Sequence, residues 1–221
     1  MYRMVVTDLD GTLLNNKKQV SEANVKAIQN LKDQNITFVM ATGRSDVMTR
    51  AYTKQLKNVD IVIGCDGAVI RNIRTGEILC ENHLRSETCH TTFEICKKYG
   101  LQYYVFAKDE LVSDDSQNER FLVHQKFNQA VEEDEEIPMQ IVDDLNDYVN
   151  DHIIYKIVVS HNDTSYLDKV AEVIKIPNFC ASFLIASALE TPLALTARTF
   201  FPERMASASV SFLITSATLS K

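Results

Sequence analysis

Three β-rich apolar segments, separated by two helical segments, occupy the first 64 residues, and this order restricts the fold more than any other feature of the chain. Strands are predicted over residues 4–7, 36–41 and 60–64, where apolar and β-branched side chains predominate. A helix is predicted over residues 21–34, where apolar side chains recur three residues apart. A second helix is predicted after Arg44 and ends at about residue 56. This alternation is typical of a doubly wound parallel α/β sheet, whose ligands bind at the carboxyl ends of the strands.

The pattern changes after the third strand. Two short β-rich segments flank Arg74-Thr75-Gly76 and predict a hairpin. From about residue 84 a helix, strands and polar stretches alternate, which favours a small α+β domain over residues 84–175, inserted after a first core part of residues 1–83. The run of five acids at 132–136 is interpreted as a solvated loop without a functional role.

The last segment, residues 176–221, differs in composition from the rest of the chain. Only five of its 46 residues are charged, and no glycine follows Gly100. Most of this tail has neither clean helical nor strand periodicity, so the sequence supports no fold assignment for it.

Composition argues against several classes of protein. The net charge is -7 and the pI is near 5.3, so the chain is acidic. Proteins that wrap nucleic acid through its phosphates need a positive charge, so this class is disfavoured. The five cysteines include no C-x-x-C pair, which disfavours a disulfide framework or a zinc ribbon and suits a reducing cytosol. The segment before Asp8 is too short for a signal peptide, and the apolar stretch at 180–189 is shorter than the roughly 18 to 20 residues of a membrane span. We therefore expect a cytoplasmic monomer or weak homo-oligomer without nucleic-acid or membrane partners.

Two aspartates follow the first predicted strand. Asp8 and Asp10 are two residues apart, so in an extended backbone both carboxylates point into the crevice above the sheet. A divalent cation would relieve their repulsion, and hard oxygen ligands suit Mg²⁺. A carboxylate can also attack phosphorus to form an aspartyl-phosphate, while a neighbouring acid protonates the leaving oxygen. An ordinary acidic turn is the alternative for D-x-D alone, but the longer D-L-D-G-T pattern is more specific.

Three short motifs carry a family resemblance. Asp8-Leu9-Asp10-Gly11-Thr12-Leu13-Leu14 resembles the first motif of the haloacid dehalogenase superfamily of phosphohydrolases, and Ala41-Thr42-Gly43-Arg44 resembles its second. With Cys65-Asp66-Gly67-Ala68 and the position of the insert, the chain is most similar to the Cof-type sugar-phosphatase-like subfamily. The resemblance implies a Rossmann-like core with an inserted α+β cap domain, and residues 176–221 do not share it.

The resemblance also implies roles for residues in these motifs. Asp8 is implied as the nucleophile and Asp10 as the general acid and base, and Asp8 with the main-chain carbonyl of Asp10 as ligands of Mg²⁺. Thr42 is implied to hydrogen-bond the transferring phosphoryl group, where a hydroxyl meets developing negative charge. The substrate-binding residues at the three turns are predicted to be Leu9, Gly11, Gly43, Arg44, Asp66 and Gly67.

Two of these residues have alternative interpretations. Arg44 is either a substrate contact or a surface cation at the start of a helix. Many relatives have Asn where this chain has Asp66. A carboxylate there would repel an anionic substrate unless it hydrogen-bonds the backbone or faces a sugar hydroxyl.

Two later motifs of the superfamily are missing from the sequence. The third is a lysine in a segment resembling V-x-K-G, and the fourth is G-D-x-x-N-D, whose acids complete the metal site. Residues 176–221 contain no Asp and a single lysine, Lys221. Two functions therefore stay open: a Mg²⁺-dependent phosphatase that acts through an aspartyl-phosphate on small phosphorylated metabolites such as sugar phosphates, or a truncated or degenerate, catalytically impaired relative that at most binds phosphate ligands.

We hypothesise that the tail from about residue 176 results from a shift of reading frame, because the charge and both motifs disappear together. One of the other two frames after codon 175 is then expected to encode a Lys-Gly pair followed by G-D-x-x-N-D. Sequencing the DNA tests this hypothesis. If neither frame encodes the two motifs, the chain is instead a genuinely degenerate relative.

Overall fold

Two five-stranded sheets make up most of the chain. The computed structural model describes residues 2–163, 166, 170 and 183–186. The first sheet has the strand order β1-β2-β3-β4-β5 and is called the core sheet here; the second, with the order β10-β9-β6-β7-β8, is called the cap sheet.

The core sheet begins with the three predicted parallel strands. β1 (Met4–Asp8), β2 (Thr37–Ala41) and β3 (Ile61–Gly64) are parallel neighbours, and β4 (Val69–Asn72) and β5 (Ile78–Glu81) extend the sheet as the predicted antiparallel hairpin. The α/β class with a parallel sheet is therefore confirmed.

Two helices connect the parallel strands. α1 (Glu22–Asp33) begins after Ser21, whose hydroxyl accepts a hydrogen bond from the Asn24 amide and so satisfies one free donor of the first turn. Ile28 of this helix packs against the core sheet with residues such as Phe38 and Met40. α2 (Arg50–Leu56) follows a 3₁₀ turn after β2. α1 lies where the apolar spacing predicts a helix and ends within a residue of the prediction, and α2 ends at residue 56 as predicted.

The cap sheet is built from a later part of the sequence. Its strands are β6 (Gln102–Ala107), β7 (Leu111–Ser113), β8 (Met139–Ile141), β9 (Ile154–Ser160) and β10 (Phe183–Ala186). β6 is antiparallel to β7 and β9, whereas β8 and β10 are parallel to their neighbours. β10 lies within the segment for which the sequence supports no fold assignment. The rest of the predicted tail lies outside the described residues, and the domain limits at 83 and 175 stay predictions.

Three helices accompany the cap sheet: α3 (Ser86–Lys98), α4 (Glu119–Asn128) and α5 (Leu145–Asp151). Successive side chains of β6 point to opposite faces of the sheet. Tyr103 therefore joins a core with Phe93 of α3, while Tyr104 faces the core domain. Both faces are covered, which explains why this strand is a continuous apolar run.

Apolar packing joins the two sheets. Cys65 and Val69 of the core domain share one buried cluster with Tyr104, Phe106 and Tyr155 of the cap sheet. Burial of these apolar side chains between the two sheets favours docking of the cap on the core through the hydrophobic effect.

The acidic run takes part in the same interface. Glu132, Asp134 and Glu135 form ion pairs with Lys54 of α2, and three residues of the run form a 3₁₀ turn. The prediction of a solvated loop is therefore only partly right: the acids are largely exposed, but they contact the core domain. Exposed ion pairs of this kind contribute little to stability, because water screens them.

β1 forms the edge of the core sheet within the described part of the chain. It pairs there with β2 alone, and its outward residues Met4 and Val6 are 51% and 39% exposed. Among the described helices, none combines the length and apolar character needed to cross a membrane.

Val62→Ala is expected to destabilise the protein by about 2–3 kcal/mol, because Val62 is fully buried in β3 and the truncation leaves a cavity. Val6→Ala, in the same sheet but exposed, is the matched control and is expected to cost less than about 1 kcal/mol. Urea unfolding followed by circular dichroism measures both. Equal losses for the two variants would contradict the burial described for β3.

Candidate active site

The carboxyl ends of the three parallel strands meet at one edge of the core sheet. Asp8 at the end of β1 lies opposite Ala41 of β2, which in turn lies opposite Ile63 of β3. Main-chain hydrogen bonds join the turns that follow: the Thr42 amide donates to the Ile63 carbonyl (2.9 Å), and the Asp66 amide donates to the Thr42 carbonyl (3.2 Å). Residues from all three sequence motifs are thereby brought together.

The turn after β1, which carries both aspartates, is fixed by the buried residue Leu9. Leu9 is fully buried, and its carbonyl accepts a hydrogen bond from the Leu14 amide (3.0 Å). Gly11 has a φ of 80°, in the left-handed region that favours glycine. The Thr12 hydroxyl donates to Asp8 Oδ2 (3.1 Å), which orients that carboxylate.

Asp10 is held in a network of cations. Arg44 binds it through two hydrogen bonds, from Nε to Oδ2 (2.7 Å) and from Nη2 to Oδ1 (2.8 Å), and Lys18 Nζ lies 3.0 Å from Oδ1. Burial by itself raises the pKa of Asp10, but the hydrogen bonds and charges of Arg44 and Lys18 outweigh it, so the pKa is lowered. Asp10 is therefore held as a carboxylate in this arrangement.

Asp8 has the opposite electrostatic environment. Burial raises its pKa, hydrogen bonds from the Thr12 hydroxyl and the Leu9 amide lower it, and the charges of Asp10 and Asp66 raise it further. The net effect is a pKa above the usual value for aspartate. Within the part of the chain that the structure describes, Asp8 takes part in no ion pair.

Thr42 and Arg44 lie beside these carboxylates. Thr42 is buried, and its Oγ1 accepts a hydrogen bond from the Arg44 amide (3.2 Å). The Arg44 guanidinium lies 5.4 Å from the centre of the Tyr52 ring and donates to the Tyr52 hydroxyl (3.4 Å). Arg44 is thus directed into the candidate site, and not into solvent as a surface cation would be.

Asp66 pairs with a residue that the sequence analysis did not single out. Lys156 Nζ, from β9 of the cap sheet, forms an ion pair with Asp66 Oδ2 and donates to the Gly43 carbonyl (2.9 Å). A Cβ atom on Gly43 would lie 2.8 Å from Asp66 Oδ1, so glycine is required for this close approach. Gly67, also predicted at this turn, is exposed and has a φ of 98°. The one signal for Lys156 in the sequence was a single charge within the apolar strand 154–160.

The charge of Arg44 also acts on a second cap side chain, His124. His124 of α4 hydrogen-bonds the Tyr104 hydroxyl through Nε2 (2.9 Å). Burial, together with the charges of Arg44 and Arg120, lowers the pKa of His124 to about 4. This imidazole is therefore neutral at pH 7 and adds no charge to the site.

The residues present fit a hard cation next to Asp8. One Asp8 oxygen accepts from Thr12, and no cation pairs with Asp8 among the described residues, so a divalent cation beside it would offset the charges of Asp8, Asp10 and Asp66. Both oxygens of the Asp10 carboxylate, in contrast, already bind Arg44 or Lys18. The Asp8 carboxylate therefore fits a metal ligand, and the main-chain carbonyl of Asp10 stays a prediction.

Comparison with known families agrees with this geometry. Residues 5–187 match the model of the haloacid dehalogenase-like hydrolase family. The chain belongs to this family. The haloacid dehalogenase-like match includes β10 and ends inside the segment that the sequence analysis assigns to an atypical tail.

Individual relatives support the same family assignment. A Bacillus subtilis protein that carries a phosphatase name, YxeH, is 25% identical over 130 residues, which are 58% of this chain and 48% of that protein. The chain thus spans about half the length of the curated relatives it matches.

Solved structures share the fold. A haloacid dehalogenase-like hydrolase from Bacteroides thetaiotaomicron superposes with a TM-score of 0.66 at 22% identity and covers 80% of this chain and 64% of that chain. A subclass IIB sugar phosphatase gives a TM-score of 0.59 at 16% identity, over 78% of this chain and 63% of that one.

Arg44→Met is expected to raise the pKa of Asp10, because it removes two hydrogen bonds and a positive charge while the carboxyl stays partly buried. Carboxyl ¹³C NMR titration measures the shift. Lys26→Met, which removes an exposed lysine of α1, is the matched control and is expected to leave that pKa unchanged. The same Asp10 pKa in Arg44→Met and the unmodified chain would contradict the ion pair.

Proposed function

We propose that the chain hydrolyses phosphomonoesters of small metabolites, such as sugar phosphates, in a Mg²⁺-dependent reaction that passes through an aspartyl-phosphate. Membership of the hydrolase family supports the reaction class, and the fold shared with a sugar phosphatase supports the substrate class. One observation carries the assignment of the nucleophile. Of the three carboxylates at the strand ends, only that of Asp8 has no ion-pair partner among the described residues.

The proposed reaction has two half-reactions. In the first, an Asp8 oxygen attacks phosphorus, the bond to the leaving oxygen breaks, and Asp10 gives its proton to that oxygen. In the second, the Asp10 carboxylate takes a proton from water, whose oxygen attacks the phosphoryl group on Asp8. Inorganic phosphate leaves, and both aspartates return to their starting forms. Mg²⁺, when bound beside Asp8, supplies positive charge that offsets the phosphoryl oxygens.

Asp10 needs a proton for the first half-reaction, whereas Arg44 and Lys18 favour its ionised form. A substrate phosphate is an anion that competes with Asp10 for these same cations. Binding of the substrate would therefore loosen the ion pairs and raise the pKa of Asp10. In this proposal Arg44 is a substrate contact that also controls the protonation of the general acid.

Main-chain and hydroxyl donors complete the proposed phosphate site. A hydroxyl has one donor and two acceptor positions. Thr42 Oγ1 accepts from the Arg44 amide, which leaves its proton for a phosphoryl oxygen. The Leu9 amide hydrogen-bonds Asp8, so a phosphoryl group transferred to Asp8 would lie beside this amide, and the turn has open space at Gly11.

The second candidate is a catalytically impaired chain that binds phosphate ligands without hydrolysing them. A specific observation favours it: the sequence holds neither the V-x-K-G lysine nor the G-D-x-x-N-D acids of the superfamily. The metal would then have one carboxylate and one carbonyl from the described residues, with water and substrate filling the other positions. Binding and hydrolysis must therefore be measured separately.

Hydrolysis of p-nitrophenyl phosphate by the unmodified chain is expected to require Mg²⁺ and to stop when EDTA is added. Asp8→Asn is expected to lower the rate by about 10³-fold or more, because the amide is a poor nucleophile. Asp33→Asn, at an exposed position at the end of α1, is the matched control and is expected to keep the full rate. Absorbance of p-nitrophenolate measures all three chains.

Folding of each variant is checked first by circular dichroism and thermal unfolding. A folded, unmodified chain that binds inorganic phosphate without hydrolysing the ester would favour the second candidate. Full activity in folded Asp8→Asn would exclude Asp8 as the nucleophile.

A further inference from the structure

Lys156 is a fully buried ammonium at the junction of the two sheets. Its side chain is 0% exposed, although it lies in a strand of the cap and its carboxylate and carbonyl partners belong to the core domain. Those partners, Asp66 and Gly43, are 90 and 113 residues away in the sequence. The Phe106 ring centre lies 5.9 Å from Nζ.

Burying a charged group without compensation is strongly unfavourable. Lys156 is compensated by one carboxylate and one carbonyl, both from turns that carry predicted substrate-binding residues. Removal of Lys156 would leave Asp66 as a mostly buried, unpaired carboxylate. A lysine at this position therefore has consequences at the site as well as for packing.

The pairing accounts for the carboxylate at the third turn. Cys65, Asp66 and Gly67 have consecutive positive φ angles, which turn the Asp66 side chain back towards Gly43. Asp66 lies close enough to Asp8 for its charge to act on that carboxyl. Without Lys156, an incoming phosphate would meet both negative charges.

The charges at the strand ends balance as a set. Three carboxylates, those of Asp8, Asp10 and Asp66, face three cations, of which two bind Asp10 and the third binds Asp66. Asp8 is left as the single uncompensated carboxylate of this described group. Lys156 therefore decides whether an anionic ligand meets one negative charge or two.

We propose that Lys156, supplied by the cap, is a positioning residue for phosphate binding: it neutralises Asp66, so that an incoming phosphate meets one uncompensated carboxylate and not two. This role rests on the proposed function, since it concerns the same phosphate site. It also makes that site complete only when the cap sheet is docked on the core. Lys156 is not a substitute for the missing V-x-K-G lysine, because it pairs with Asp66 and not with Asp8.

The test compares phosphate binding in four folded chains: unmodified, Lys156→Met, Asp66→Asn, and the double variant. Isothermal titration with inorganic phosphate in the presence of Mg²⁺ gives the Kd, and urea unfolding gives stability independently. Lys156→Met is expected to raise the Kd about tenfold or more, as one unpaired charge near a bound anion would do. The double variant is expected to bind within about threefold of the unmodified chain, because the charges balance again.

A second comparison keeps the proposal testable if Lys156→Met does not fold. Asp66→Asn leaves one extra positive charge, so it is expected to bind phosphate about tenfold more tightly than the double variant. Lys126→Met, which removes an exposed lysine of α4, is the matched control and is expected to leave the Kd unchanged.

Three outcomes separate the claims. Restoration of the Kd in the double variant supports the role of Lys156, which a purely structural contact would not produce. If the unmodified chain binds phosphate and the Kd is the same with and without Lys156, the positioning role is wrong while the proposed function stands. If the unmodified chain neither binds phosphate nor hydrolyses the ester, the proposed function is wrong, and the role of Lys156 in it is wrong as well.

Discussion

Repulsion between carboxylates at one edge of a parallel sheet is the constraint on which the arrangement of this protein depends. The strand register fixes the positions of Asp8, Asp10 and Asp66, and their charges would oppose one another without compensation. Cations reach them from three different parts of the chain: the loop before α1, the turn after β2, and the cap strand β9. These three elements therefore supply the positive charge that offsets the carboxylates.

Charged contacts also help to position the cap on the core. Apolar side chains supply most of the contact between the sheets, but apolar contact is non-directional and does not fix one orientation. Ion pairs restrict the orientation further: Arg71 of β4 pairs with Asp109 before β7, and Lys54 pairs with the acidic run. The interface therefore combines a hydrophobic centre with charged contacts around it.

Local patterns allowed much of the core domain to be predicted. Ser21 identified the start of α1, and the apolar runs identified β1 to β3, because helix caps and buried strands leave signals within a few residues. The direction of Arg44 and the partner of Asp66 could not be found in this way. Both depend on which distant segments meet, and periodicity carries no information about such pairings. The acidic run illustrates the same limit, since its contact with Lys54 joins residues about 80 positions apart.

The long sequence separation of the Lys156 contacts also has a consequence for the order of folding. Contacts between distant residues form only after the entropy of closing a long loop has been overcome, so they tend to appear late. The core strands β1 to β3 are all contained in the first 64 residues and can pair before the cap strand β9 has been synthesised. The turn at Gly43 then acquires its buried partner only when β9 docks. In a nascent chain, Asp8 is therefore in place at the end of β1 before Lys156 is available to offset the charge of Asp66. Docking of the cap completes the charge balance of the site.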